Sequence, residues 1–161
     1  MAKFTVGKGL DEYISLLGNL EFKTPAVIGK SIYQGAKIVA DQVRSNIEAL
    51  PVSEKSGGQG RRNPTQVEKA GMLEGLGIAT MQNDGGYYNV KIGMDGYNSD
   101  ITDKYPKGKP NAMVARSVES GTTFIRRNPF ISRAVSATRA AAENAMREEV
   151  DKQITEIMGS G

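Results

Sequence analysis

This sequence predicts an α+β fold, with a small antiparallel sheet packed against long helices. Three observations point there. Apolar residues recur at three- and four-residue steps through 25–50 and again through 129–158. Between those stretches, over about 72–94, the period shortens to two. Pro25, Pro51, Gly121 and Pro129 stand where helices normally begin and end. A chain of 161 residues suits one domain with a real core. We therefore read 1–161 as a single unit, with flexible loops at about 51–66 and 95–110.

Taken in order, "KFTV" at 3–6 reads as a short edge strand, and "GLDEYISLLGNL" after it as a helix with Leu10, Tyr13, Ile14, Leu17 and Leu20 on one side. The next helix has Thr24 to cap it and Pro25 at its first position, and it runs to Leu50, where Pro51 stops it. Ile28, Ile32, Val39, Val43, Ile47 and Leu50 line one side, with the small Gly35 and Ala36 between them. Residues 51–66 are polar, rich in Gly and Pro, and have nothing to bury. The segments "MLEGLGIATM" (72–81) and "YYNVKIGM" (87–94) alternate apolar and polar residues, and Asp84-Gly85-Gly86 supplies a hairpin turn. A second long loop follows at 95–110, then a short helix over 111–119 that ends at Gly121. Asn128 as cap and Pro129 as first residue open a helix to about Met158, striped by Ile131, Ala134, Val135, Thr138, Ala141, Ala142, Ala145, Val150, Ile154 and Ile157. At ~1.5 Å per residue that helix is about 45 Å long, against about 30–35 Å across a domain of this size. Part of it is expected to project or to pack against another chain.

Composition narrows the chemistry. There is no Cys and no His, which removes disulfides, thiolate nucleophiles, Cys/His zinc sites and imidazole acid–base catalysis. An enzyme would have to work with carboxylates, Lys, Ser or Tyr, and no convergent set of these is visible. No enzyme activity, cofactor or metal is expected. The start "MAKFTVGKG" lacks the apolar segment of a secretory signal, so synthesis in the cytosol is expected. Net charge is +3 but unevenly placed: residues 104–139 hold eight basic side chains against one acidic, and 140–161 hold two against five. A basic stretch of that kind meets phosphates or an acidic neighbour.

Several local patterns fail on inspection. "VIGKSI" at 27–32 has the Gly-Lys of a phosphate-binding loop, but Thr24 stands where the first Gly belongs and the segment is helical. Asp95, Asp100 and Asp103 lack calcium-loop spacing and read as turn residues. Glu148 and Glu149 lie beside Arg147 and Lys152 on a solvated helix face. Lys104, Lys107 and Lys109 with Tyr105 form a basic loop without the aromatic interleaving of a nucleic-acid module.

The stretch "VESGTTFIRRNPFISRAV" (118–135) is the most sharply punctuated in the chain. Taken with the order of elements before it, it resembles the neck, tail-completion and head–tail joining proteins of bacteriophages with long non-contractile tails. In that family a Glu-Phe-Gly-Thr-like element precedes a Pro-Phe element that opens the C-terminal helix. Glu119, Gly121 and Thr122 match the first here, with Ser120 in place of the aromatic, and Pro129, Phe130 and Ile131 match the second. Ala70-Gly71-Met72-Leu73 is close to the family's hairpin opening. The resemblance implies a virion structural protein assembled in the host cytoplasm. Copies would form a ring, with six expected, between the head connector or stopper and the tail terminator or tail tube, around the path of the genomic DNA. Glu119, Gly121, Thr122, Arg126, Arg127, Pro129 and Phe130 are the expected interface and structural residues. The basic 104–139 region meeting the acidic C-terminal helix of a neighbour is the expected contact between copies. A tail terminator capping the tube, or a basic nucleic-acid-binding protein, is the alternative.

Overall fold

Pro25 sits one residue inside a helix start and Pro51 three residues past a helix end, and the chain between them forms α1 (Thr24–Glu48). The structure, a computed structural model, describes residues 2–5, 24–54 and 63–159. The helix expected over 9–20 and most of the 51–66 loop lie outside the described residues. The other elements are β1 (Ala2–Thr5), α2 (Gln66–Gly75), β2 (Leu76–Ile78), β3 (Gln82–Asp84), β4 (Tyr87–Met94), α3 (Asn111–Ser120) and α4 (Phe130–Gly159). The class is α+β, as the change of period predicts.

β4 is the centre of the antiparallel sheet. β1 runs along one side, with Ala2 opposite Ile92 and Thr5 opposite Asn89. β2 and then β3 occupy the other side. Alternate residues Val90, Ile92 and Met94 are buried and join the core. α1 packs on the sheet and also runs alongside α4, so it is the central element. Its line Ile28, Ile32, Ala36, Val39, Val43, Ile47 and Leu50 is buried throughout. α1 and α4 are antiparallel neighbours: Asn46 Nδ2, near the end of one, donates to the Phe130 carbonyl at the start of the other (2.9 Å).

Two expectations are corrected. The first concerns 72–81, read as one strand of a hairpin. Residues 66–75 are helical instead, because Thr65 and Glu68 form a capping box: Glu68 N–H donates to Thr65 Oγ1 (3.2 Å) and Thr65 N–H to Glu68 Oε2 (2.9 Å). The apparent alternation beginning at Met72 is the buried side of that helix. Of the stretch before the turn, only β2 and β3 pair with β4, and they do so with a slip between them. Ile78 faces Ile92 and Gln82 faces Asn89, so four steps on one strand match three on the other, which is a β-bulge. The Tyr33 hydroxyl of α1 serves the bulge, accepting from Met81 N–H (2.9 Å) and donating to the Ala79 carbonyl (3.3 Å). The Gly85-Gly86 turn is as expected, both residues having positive φ (64° and 98°).

The second correction concerns α4. Its buried residues are Phe130, Ala134, Thr138, Ala142, Met146 and Val150, a strict four-residue step. Such a line drifts about 40° around the helix per step. It therefore departs from the expected stripe: Ala141 is exposed, Ala145 is half-buried, and Met146 takes a core position. The small residues of the line bring α4 close to α1 of the same chain. Over 130–150 this face is covered from within, and the outward face is mostly polar.

Candidate functional site: the helix corner

The turn from α3 into α4 brings the expected interface and structural residues together. Glu119, in the last turn of α3, reaches across to the start of α4. Its Oε2 accepts from Ile131 N–H (2.8 Å), its Oε1 accepts from Ser132 N–H (3.0 Å), and the Ser132 hydroxyl also donates to Oε1. Those amides are the ones a helix start leaves without internal partners, and a carboxylate there is favoured by the helix dipole. The capping role expected of Asn128 therefore belongs to Glu119. Asn128 instead donates its N–H to the Val118 carbonyl (2.8 Å) and accepts from Arg133 Nη2 (2.6 Å), drawing the loop back onto α3. The helix proper begins at Phe130, one residue later than expected, with the Pro129 carbonyl accepting from Arg133 N–H (3.0 Å).

Gly121 ends α3. Its N–H donates to the Ser117 carbonyl (2.9 Å), and its φ of 77° with ψ of 158° lies in a region open essentially to glycine alone. A Cβ there would also crowd the Arg127 Cβ at 3.0 Å and the Arg127 backbone at 3.1–3.2 Å. Thr122 then builds the loop: its Oγ1 accepts from Phe124 N–H (3.2 Å) and Ile125 N–H (2.9 Å), and its own N–H donates to the Ile125 carbonyl (2.9 Å). Ile125 and Phe130 are buried in the core and anchor both sides of the corner. What remains outside is the tip, where Phe124 is 53% exposed and Arg126 and Arg127 are both exposed.

Beside the corner lies a pocket of about 310 Å³ between the end of β4, α3 and the start of α4, lined by Met94, Ala112, Ala115, Arg116 and Glu119 among others. Its carboxylate is already committed to the α4 backbone. Among the described residues no group of acidic side chains converges to hold a metal ion.

A second cluster escaped the sequence reading. Lys109 Nζ bonds Glu68 Oε1 (3.0 Å) and Asp100 Oδ2 (2.6 Å), so neither Lys109 nor Asp100 is the free loop residue it resembled. Burial disfavours the Lys109 charge, but hydrogen bonds to Asp100 and Glu68, with their charges, outweigh it and raise its pKa above the ordinary 10.5. Asn98 Oδ1 accepts from Asp100 N–H and Lys109 N–H, both at 3.0 Å, and closes the base of the 95–110 loop. Gly108 has a φ of 93°, and a Cβ there would collide with the Asn98 carbonyl. The Thr65-x-x-Glu68 capping pattern was the one local signal available. Lys109, the partner of Glu68, lies 41 residues downstream, and Asp100, the other partner of Lys109, lies 32 residues downstream.

No protein-family model, curated protein or solved structure matches this chain. The functional reading therefore rests on the corner's geometry and on the residues that carry the resemblance.

Proposed function

We propose that this chain is a structural component of the neck of a long non-contractile-tailed phage, where copies close into a ring that joins the head connector to the tail around the DNA path. One observation carries the reading. Each residue of the Glu-x-Gly-Thr and Pro-Phe-Ile elements has a backbone or packing role in a single corner, and that corner holds out an exposed aromatic and two arginines. A pattern spread over thirteen residues is thus accounted for by the hinge it makes. Further exposed apolar side chains, Tyr97 (58%) and Ile101 (68%), lie on the loop whose base Lys109 secures, with Met113 (36%) at the start of α3. Head-to-tail contacts between such surfaces and a neighbouring copy close into a ring when the rotation between copies divides a full turn.

The test is joining. Wild-type protein mixed with purified tails and DNA-filled heads should complete infectious particles. A Tyr97→Ser/Ile101→Ser variant should melt at the wild-type temperature and join poorly, since exposed sites cost within about 0.5 kcal/mol of stability. Wild-type protein that binds neither heads nor tails, or a variant that joins normally, would overturn the reading. Binding to tails alone would favour a tail terminator.

A further inference from the structure

The arginines of the corner have no ion-pair partner among the described residues. Arg116 on α3, Arg126 and Arg127 on the loop and Arg133 on α4 are all exposed, and none makes an ion pair among the described residues. They belong to one region of the fold. Arg116 lines the same pocket as Glu119, Arg127 lies against Gly121, and Arg133 donates to the neutral Asn128. The single acid among them, Glu119, has both oxygens bound to the first turn of α4. Four arginines thus rise from a corner whose backbone is fixed by hydrogen bonds, with exposed hydroxyls of Thr123 and Ser120 close by in sequence.

From this we infer that the corner binds the phosphate backbone of double-stranded DNA, without reading bases. Two arguments favour a nucleic acid over the acidic end of a neighbour's α4. Protein–protein interface cores are depleted of charge and built on apolar anchors, whereas this patch has Phe124 as its one large apolar side chain. Interfaces with nucleic acid are more polar and far more positive. The four cations are also all arginine, whose planar fork bonds phosphate oxygens in pairs. The inference deepens the neck reading, from which it takes only the presence of duplex DNA, and it displaces the contact between copies expected from the charge count.

The experiment measures binding of the full chain to a short mixed-sequence DNA duplex between about 50 and 200 mM salt. With four phosphate contacts, the logarithm of affinity should fall against the logarithm of salt with a slope of about −3.6. Arg126→Gln/Arg127→Gln should halve that slope to about −1.8, equally for unrelated sequences, while melting is unchanged. Arg116→Gln/Arg133→Gln provides an independent second variant with the same expectation. No binding at low salt, or slopes unaffected in both variants, would overturn the inference. If the variants lost contact between copies without any effect on DNA, the patch would be a protein contact: the inference would fail and the neck reading would stand. If DNA binding followed the arginines while the wild type joined neither heads nor tails, the inference would stand and the neck reading would fail.

Discussion

Lys109 shows how much one side chain can hold. Its ammonium sits between Glu68, 1% exposed, and Asp100, and it connects the 95–110 loop to α2. Replacing it by Met leaves the Glu68 carboxylate buried without this partner, which should destabilise the fold by about 2–4 kcal/mol at neutral pH in urea unfolding. A Glu68→Gln/Lys109→Met double variant should recover part of that loss, because the stranded charge goes with it. The pH dependence has a definite sign. The folded pKa lies above the ordinary lysine value, so the stabilisation is fully present below pH 10.5 and is lost as pH rises through the folded value. The stability gap between wild type and Lys109→Met should therefore be flat across neutral pH and narrow in strong alkali. A gap that narrowed between pH 6 and 9 would contradict the assignment. None of this was legible in the sequence, where Lys109 reads as one of three lysines in a polar loop. Ion pairing between residues 41 apart has no local signature. Glu119 is a middle case, since the resemblance of the 118–135 stretch singled it out while its cross-helix capping role needed the fold.

At the scale of elements, legibility followed the clarity of the local signal. α1 and α3 lie where Pro25, the apolar periodicity and Gly121 place them, because proline at a helix start and glycine at its end act through the backbone alone. β4 likewise alternates as expected. The segment before it failed because two signals overlap there. Met72, Leu73 and Leu76 fit either a helix face or an interrupted strand, and the capping box seven residues upstream of Met72 decides for helix as far as Gly75. The bulge after Ile78 was invisible for a different reason: an extra residue is a property of pairing, and pairing with β4 supplies it. Tyr33 makes that bulge testable. Its hydroxyl satisfies two backbone groups of the bulge, the Ala79 carbonyl and the Met81 N–H. Tyr33→Phe should cost about 0.5–1.5 kcal/mol, at the modest end because the site meets solvent. Amide exchange at Met81 should accelerate while that of β4 is unaltered. Equal protection of Met81 in the two proteins would show that the hydroxyl does not hold the bulge.

Across the whole molecule, the question is which face of the alanine-rich α4 is already occupied. Its length and small residues suggested a rod seeking a partner, yet the four-step line from Phe130 to Val150 is buried within the chain, with Phe130, Ala134 and Ala142 in one core cluster with α1. Close approach of two helices at Ala36, Ala134 and Ala142 leaves no room for larger side chains, whereas one residue away Ala141 faces outward. Adjacent positions therefore separate the two roles. Ala142→Leu should overpack the α1–α4 contact and destabilise the protein by about 1–3 kcal/mol. Ala141→Leu should leave stability within about 0.5 kcal/mol of wild type. Thermal and urea unfolding of the two variants decide it, and the reverse order of effects would mean that α4 is rotated against α1. The pair also reports on assembly. A neighbouring copy docking on the outer face of α4 would make Ala141→Leu fail to join heads to tails with its melting temperature intact. Docking through the 95–110 loop requires it to join normally. Because the outward face of α4 is mostly polar while Tyr97 and Ile101 are exposed on the 95–110 loop, normal joining by Ala141→Leu is the outcome we expect.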